Sequence, residues 1–594
     1  MKKVLKRTRP IGISFLLLAL VCGGLGLNPS HASAAEIQQY TGGLLVFADG
    51  TAGTPKYMTF DDTTGFGSKQ SASSVGANAI DWIRVAASPV NDEWIIVTKD
   101  TASVIKAQVC TGINGGVSCG TPTTITSSGG TATLRNFDVA YEYGSGDALI
   151  VYGTNTADEL RKIEWTGGSW QNDAAITTTR TSGTVQWVAL TSRGGSSDQI
   201  GIAYADSNQD VSAYRWNGTS AADEATAAIT ATATAGNCQK MDVSFEGASG
   251  DMFVASPLAA AGTVATGALS GTTWTITTAT APDVITGCVE LQKPNPSDDD
   301  IGISTYGVAN PTLSEGFEWS GSGITDGNNG DDTIQTWAAD YKLTAISYMS
   351  TTYYAVAVIS NAATPTDIDW WTMNSGGTIT DQAVNARASR GNTRQLHLYD
   401  YPNNDKVILF TADANNDLWA DTWDGAGVTS SAWTDLTSGG ALETSLGTVT
   451  TDDVAFAFRL AQNLTAPVIT TDAVTPGNAS ATLNGTITNT GGQSATERGF
   501  AWGTDPNLSG GDTSTTTESG SFGTGAFTQP LLNLISNTKY YYRAYATNPI
   551  GTGYGSSIQN FTTSVDTTPG RAIRLFEGFL LKIYKGARLI IHQR

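Results

Sequence analysis

The sequence predicts an all-β fold: an eight-bladed β-propeller, then a β-sandwich, then a short C-terminal β-hairpin. Three observations carry this. Eight times between residues 42 and 456 the chain repeats a turn, a β-branched or aromatic run, a second turn, and a second run that usually ends in Trp. The first turn closes on Asp92, Asp147, Asp198, Asp251, Asp300 and Asp405, with Gly42 and Thr352 in the other two slots, at intervals of 50, 55, 51, 53, 49, 52 and 53 residues. Four short strands per about 50 residues is the length of a propeller blade. Within the runs, exposed and buried side chains alternate between Gly, Asn, Asp and Ser, as strands joined by tight turns require. No run in the repeats shows helical periodicity.

The chain opens on an export signal over residues 1–34. It has a basic start (Lys2, Lys3, Lys6, Arg7, Arg9), an apolar run from Ile11 to Val21, and Ala32-Ser33-Ala34 before the cleavage point. Val21 before Cys22 is larger than the small residue a lipoprotein site needs, which favours cleavage after Ala34. No other stretch approaches the ~20 apolar residues of a spanning helix. The mature chain is therefore expected to be secreted, extracellular or cell-surface, with no transmembrane segment.

The propeller is expected over residues 35–463. Its unit is clearest where Phe137 to Tyr143 is followed by Gly144-Ser145-Gly146-Asp147 and then by Ala148 to Tyr152 and Leu160 to Trp165. The first unit lacks a preceding strand, and Val454 to Arg459 is one too many at the other end. Pairing it with Leu44 to Phe47 closes the ring and removes the two edges that invite aggregation.

Of five cysteines, Cys22 leaves with the signal, and four in an oxidising compartment point to two disulfides. Cys110 and Cys119 flank Asn114-Gly115-Gly116, a tight-turn signal that lets a hairpin close on itself. Cys238 and Cys288 lie at equivalent points of successive repeats, 50 residues apart, and would join neighbouring blades.

A second domain is expected over 464–564, where the period stops. Asn537-Thr538-Lys539-Tyr540, Tyr542, Ala544, Ala546, Asn548 and Gly551 resemble the closing strands of a fibronectin type III sandwich, and the resemblance puts Tyr540 at that family's tyrosine corner. Arg498 to Gly503 would be a central strand. Such domains are spacers or binding modules, so the resemblance implies no chemistry. As a whole the chain resembles bacterial-type secreted propeller repeat proteins that carry such a domain. The tail, 565–594, differs again: residues 571–594 carry six positive charges and one negative, Glu577. It reads either as an edge hairpin or as a basic segment that binds the protein's own acidic body or an anionic cell envelope.

Composition narrows the function. The printed net charge is −21, and removing the signal takes away five positive charges and no negative ones, leaving −26. An acidic balance of that size argues against a nucleic-acid partner. Histidine is nearly absent: His31 leaves with the signal, so His397 and His592 remain, too few for a Ser/His/Asp triad or a histidine metal cluster. The Ser-x-Asp-x-Gly-x-x-Trp turn of sialidase-type propellers is missing from every blade, which lowers the enzyme reading.

Two sets of candidate site residues stand out. Trp165, Trp216, Trp319, Trp371 and Trp423 recur at spacings of 51, 103, 52 and 52. They either pack blade against blade, the favoured reading for large aromatics, or stack on sugar rings. Trp followed by Asn217-Gly218 or Asp424-Gly425 resembles the blades of fucose-binding propeller lectins, which implies sugar binding. Asp206, Asn208, Asp210 and Asp413, Asn415, Asp417 place oxygens at positions 1, 3 and 5, as calcium loops do, without the sixth-position Gly and the distal Glu. In a turn between strands such residues also serve their own backbone. The acidic run Asp298-Asp299-Asp300 reads as a solvated turn.

The expectation is thus a binding or adhesion protein that recognises an extracellular glycan or protein through propeller loops, needing no cofactor unless calcium fills those loops. The rivals are a carbohydrate-active enzyme with channel carboxylates and a structural envelope protein.

Overall fold

The computed structural model describes residues 42–565, less short interior segments of which 334–341 is the longest; the signal segment and the basic tail lie outside the described residues. Among the described residues every regular element is a strand, and no helix is long and apolar enough to cross a membrane.

Between Gly42 and Arg459 the strands form eight antiparallel sheets, numbered here in chain order. Sheets two to eight each take four consecutive strands, with one extra strand in sheets two and six. In sheet three these are Phe137–Tyr141, Ala148–Gly153, Leu160–Thr166 and Ser169–Ile176. Sheet one is assembled from both ends of the region: Gly42–Phe47 pairs with Lys56–Asp61 on one side and with Val454–Arg459 on the other. The pairing runs Leu44 to Ala457 and Phe47 to Val454, so the surplus strand does lie where the repeat count put it.

Each sheet must bury both faces, and the strands read accordingly. Gly42–Phe47, Ala148–Gly153, Ile200–Asp206 and Val407–Asp413 are buried at every position, with no alternation. Apolar side chains fill the gaps between successive sheets, as where Phe253 stacks on Trp319 with centroids 4.5 Å apart. Gly316 leaves room for the Trp371 indole: a Cβ there would lie 2.5 Å from Trp371 Cζ2.

The first strands of successive sheets neighbour one another in order, Val454–Arg459 beside Ile80–Ala87 and so on to Thr393–Asp400, which again neighbours Val454–Arg459. Main-chain bonds join these first strands, or the residues entering them, at four seams. Ile83 N donates to Asp452 O (sheets two and one), Val188 N to Arg135 O (four and three), Val289 N to Gln239 O (six and five), and Leu396 N to Lys342 O (eight and seven), at 3.1, 3.1, 3.0 and 2.9 Å. The seam between sheets two and three is bridged by side chains as well: Trp82 Nε1 donates to Ala132 O, and Lys99 Nζ to Thr131 O, Leu134 O and Asn136 Oδ1, while Asn155 N donates to Ser128 O.

Two disulfides are present. Cys110 faces Cys119 across a strand pair with Cα atoms 4.0 Å apart, and Cys238 joins Cys288 at 5.7 Å, linking sheet five to sheet six.

From Val468 the chain forms two further sheets. One holds Val468–Pro476, Ser480–Asn489 and Gly525–Leu532; in the other, Ala495–Gly503 lies between Ser514–Phe522 and Lys539–Asn548. Leu483, Ile487, Phe500, Phe527 and Tyr542 form the core between them. Tyr540 Oη accepts the Ile535 N–H at 3.0 Å, a tie from strand to preceding turn.

Candidate functional site

The residues with the most chemistry lie on the first strands and on the segments entering them, where the eight sheets converge. An apolar strand with one charged residue can bury that charge only if a neighbouring strand supplies its partner. Here the neighbours do. Arg84 Nη2 lies 2.9 Å from Asp452 Oδ2 and Arg84 Nε 3.8 Å from Asp138 Oδ1. Arg135 Nη1 lies 3.1 Å from Asp138 Oδ2, and its Nη2 donates to Gln239 Oε1 at 2.7 Å, reaching from sheet three to sheet five. Lys342 Nζ meets Glu290 Oε1 at 2.7 Å, and His397 Nε2 lies 3.2 Å from Asp452 Oδ1. Three cations and three carboxylates thus balance within one layer.

Their titration follows from this packing. Burial alone pushes the Asp452 carboxyl up, but the cations Arg84 and Lys342 outweigh it and hold it below the usual carboxylate range. Burial pushes His397 down to about 3, so its imidazole is neutral. Asp138 is also a strut: Oδ1 accepts the Val139 N–H, and Oδ2 the Leu190 N–H of the next sheet at 3.0 Å. Asp242 repeats the arrangement with Val243 and Leu291. Two carboxyls are raised into the range a general acid uses, Asp81 to about 6 and Asp453 to about 7, both by burial. Asp453 is fully sealed and Asp81 is 5 % exposed, so neither is open to solvent.

The ladder tryptophans occupy a second kind of position. Trp216, Trp319, Trp371 and Trp423 are between 0 and 6 % exposed, wedged between sheets, while Trp165 is half-buried. Three of them donate from Nε1 to a glutamate of the preceding sheet: Trp165 to Glu93 at 3.1 Å, Trp216 to Glu142 at 2.5 Å, and Trp319 to Glu246 at 2.7 Å. Glu142 and Glu246 also accept from Ser145 Oγ and Ser249 Oγ in their own turns. These turns are bound in turn by acidic residues of the following sheet, Asp198 accepting the Ser145 N–H and Asp299 those of Ala248 and Ser249. Asp198, a repeated turn acid, and Asp299, the residue before another, therefore clamp turn to turn. Sequence reasoning missed the clamp, although its signal is there in Glu142-x-x-Ser145-Gly146-Asp147 and Glu246-x-x-Ser249-Gly250-Asp251.

The two loops read as possible calcium sites are braced turns. Asp206 Oδ1 accepts the N–H groups of Asn208 and Asp210, and Oδ2 that of Gly183. Asp413 does the same with Asn415, Asp417 and Gly391, and also takes Trp419 Nε1. Gln209 and Asn416 complete the turns at φ of 70° and 65°. Asp100 forms a third copy with Ala102 and Val104. Among the described residues no group of three or more His, Cys, Asp or Glu is placed to hold a metal ion.

No protein-family model matches the chain, and no curated protein matches it. Among solved structures, BP39L lectin from Burkholderia pseudomallei is 10% identical over 60% of this chain and 98% of its own, with a TM-score of 0.41. An Aleuria aurantia lectin variant in complex with alpha-methyl-L-fucoside is 11% identical over 62% and 97%, at 0.32. The Pseudomonas aeruginosa periplasmic gluconolactonase is 13% identical over 71% and 99%, at 0.37. At these scores the superpositions are loose and assign no residue of this chain a role.

Proposed function

We propose that this chain is a secreted or cell-surface protein that binds a glycan. Its parts are a signal segment (1–34), an eight-bladed propeller (35–463), a fibronectin type III-like sandwich (464–564) and a basic tail (565–594). The observation that carries a binding rather than a catalytic reading is the charged layer. Hydrolysis of a glycosidic bond by paired carboxyls needs one protonated and one ionised acid facing a substrate. Here Asp138, Asp452 and Glu290 are each matched to a cation, and the two raised acids are sealed. What a clamped ring of sheets offers instead is a rigid support for loops. Two disulfides and an export-type leader support an extracellular address. Buried ladder tryptophans act as packing, and the Asp206 and Asp413 loops act as turns that need no calcium.

The test combines a glycan array with a hydrolysis assay on mixed polysaccharides. Saccharide binding without release of reducing ends is the expected result. Turnover that is lost on Asp453→Asn or Asp81→Asn would establish the enzyme reading instead, and the absence of both binding and turnover would leave a structural envelope protein.

A further inference from the structure

The third and fourth strands of sheet three meet at an aromatic pair. Trp165 stands opposite Trp170, their rings 5.1 Å apart and tilted by 56°. Both are half-buried, unlike the four other ladder tryptophans. Glu93 of sheet two accepts hydrogen bonds from Trp165 Nε1 and Tyr141 Oη on its Oε1 alone; among the described residues nothing donates to its Oε2.

Next to the pair the strands slip register between Lys162 and Glu164, and Asn172 takes a left-handed φ of 57°. Such a bulge puts one extra residue on the edge strand and re-aims the side chain beside it. The re-aimed group is Asp173, whose Oδ1 accepts from Arg161 Nη2 at 2.9 Å and from Tyr152 Oη at 2.8 Å. Arg161 and Asp173 stay 25% and 44% exposed. Since Arg161 and Trp165 alternate onto the same face, the ion pair and the aromatic pair sit about 13 Å apart at roughly 3.3 Å per residue.

We propose that this face of sheet three, with Glu93 at its end, binds a neutral oligosaccharide. Trp165 and Trp170 stack on the apolar faces of its rings, Glu93 Oε2 accepts a hydroxyl, and Arg161 with Asp173 bonds hydroxyls further along. The flat indoles supply apolar contact with little loss of side-chain freedom. Arg161 is shared between Asp173 and Glu159, its Nη1 lying 3.1 Å from Glu159 Oε1, so the face offers donors and acceptors with no unmatched cation, which suits hydroxyls better than anions. The distance between the two pairs exceeds one sugar ring and selects a chain over a monosaccharide. The assignment rests on the glycan-binding reading above and adds to it a place and a ligand class.

Calorimetric titration of the intact mature protein with short gluco-, manno- and chito-oligosaccharides, alongside the matching monosaccharides, tests it. The best oligosaccharide should bind more tightly than its monosaccharide, and Trp170→Ala and Arg161→Ala should each weaken it about tenfold or more, about 1.4 kcal/mol. Arg161 is 25% exposed, so its variant should melt near wild type, whereas Trp170 is half-buried against the core and its variant should melt lower. If Trp170→Ala does not fold, Arg161→Ala carries the same reading. Unchanged affinity in the folded variants overturns this placement while leaving glycan binding intact. A wild-type protein that binds no saccharide in the panel overturns both.

Discussion

Replacing Trp216 separates packing from hydrogen bonding at one seam. The side chain is fully buried, its Nε1 donates to Glu142 Oε1 at 2.5 Å, and Lys162 Nζ lies 4.8 Å over its ring. Trp216→Ala removes the whole contact, and loss of a buried large aromatic costs about 3–5 kcal/mol. Trp216→Phe keeps most of the apolar volume but strips the donor from a carboxylate that is only 5 % exposed. Leaving a buried acceptor unmatched costs about 1–3 kcal/mol, and the lower half applies because Ser145 Oγ still donates to the other oxygen. The expected order of stability is wild type, then Phe, then Ala. Urea unfolding followed by circular dichroism measures it, and adding Glu142→Gln to the Phe background closes a double-mutant cycle. Both variants within about 0.5 kcal/mol of wild type, the range of neutral surface changes, would refute the packing argument.

Three further outcomes follow from the same structure. Removing the Cys238–Cys288 bridge, which spans 50 residues, should cost about 4 kcal/mol, against about 3 kcal/mol for Cys110–Cys119 at 9 residues, from loop-closure entropy; equal losses would contradict that ordering. Deleting residues 453–460 removes the strand that pairs with Gly42–Phe47, so the protein should aggregate or lose most of its stability, and a monomer with an unchanged melting temperature would show that closure is dispensable. The Asp453 carboxyl is raised from 3.8 to about 7, so ionising it in the fold is unfavourable, and wild-type stability should fall as pH rises through that window. Asp453→Asn should therefore gain on wild type from pH 4 to 7 and hold its advantage above; a pH-independent difference would sink this.

What was legible in the sequence was local or periodic. The turn acids, the strands between them and the cysteine pairs sit within a hairpin or one repeat of each other. Even the closing pair of strands, Val454–Arg459 with Gly42–Phe47, follows from counting strands, although its register does not. The charged layer was hidden because its members are strangers along the chain. Arg84 and Asp452 are joined only once the ring closes; alone, Arg84 looks like an ordinary outward residue of a strand and Asp452 like part of the turn before one. The Glu–Trp clamps were hidden for a similar reason, with partners 72, 74 and 73 residues apart, offset from the repeat that the eye follows. The ladder itself was visible, but burial cannot be read from spacing, and only the structure separates Trp165 from the four sealed members.

The main-chain bonds that cross the seams make the ring more than a set of sheets held together by side chains. They join first strands, or the residues entering them, at four seams, and between sheets eight and one they lie further along, where Gly50 N donates to Ser445 O and Gly447 N to Ala48 O. An amide that crosses a seam exchanges its hydrogen only when the two sheets part, so these amides report the opening of the ring seam by seam.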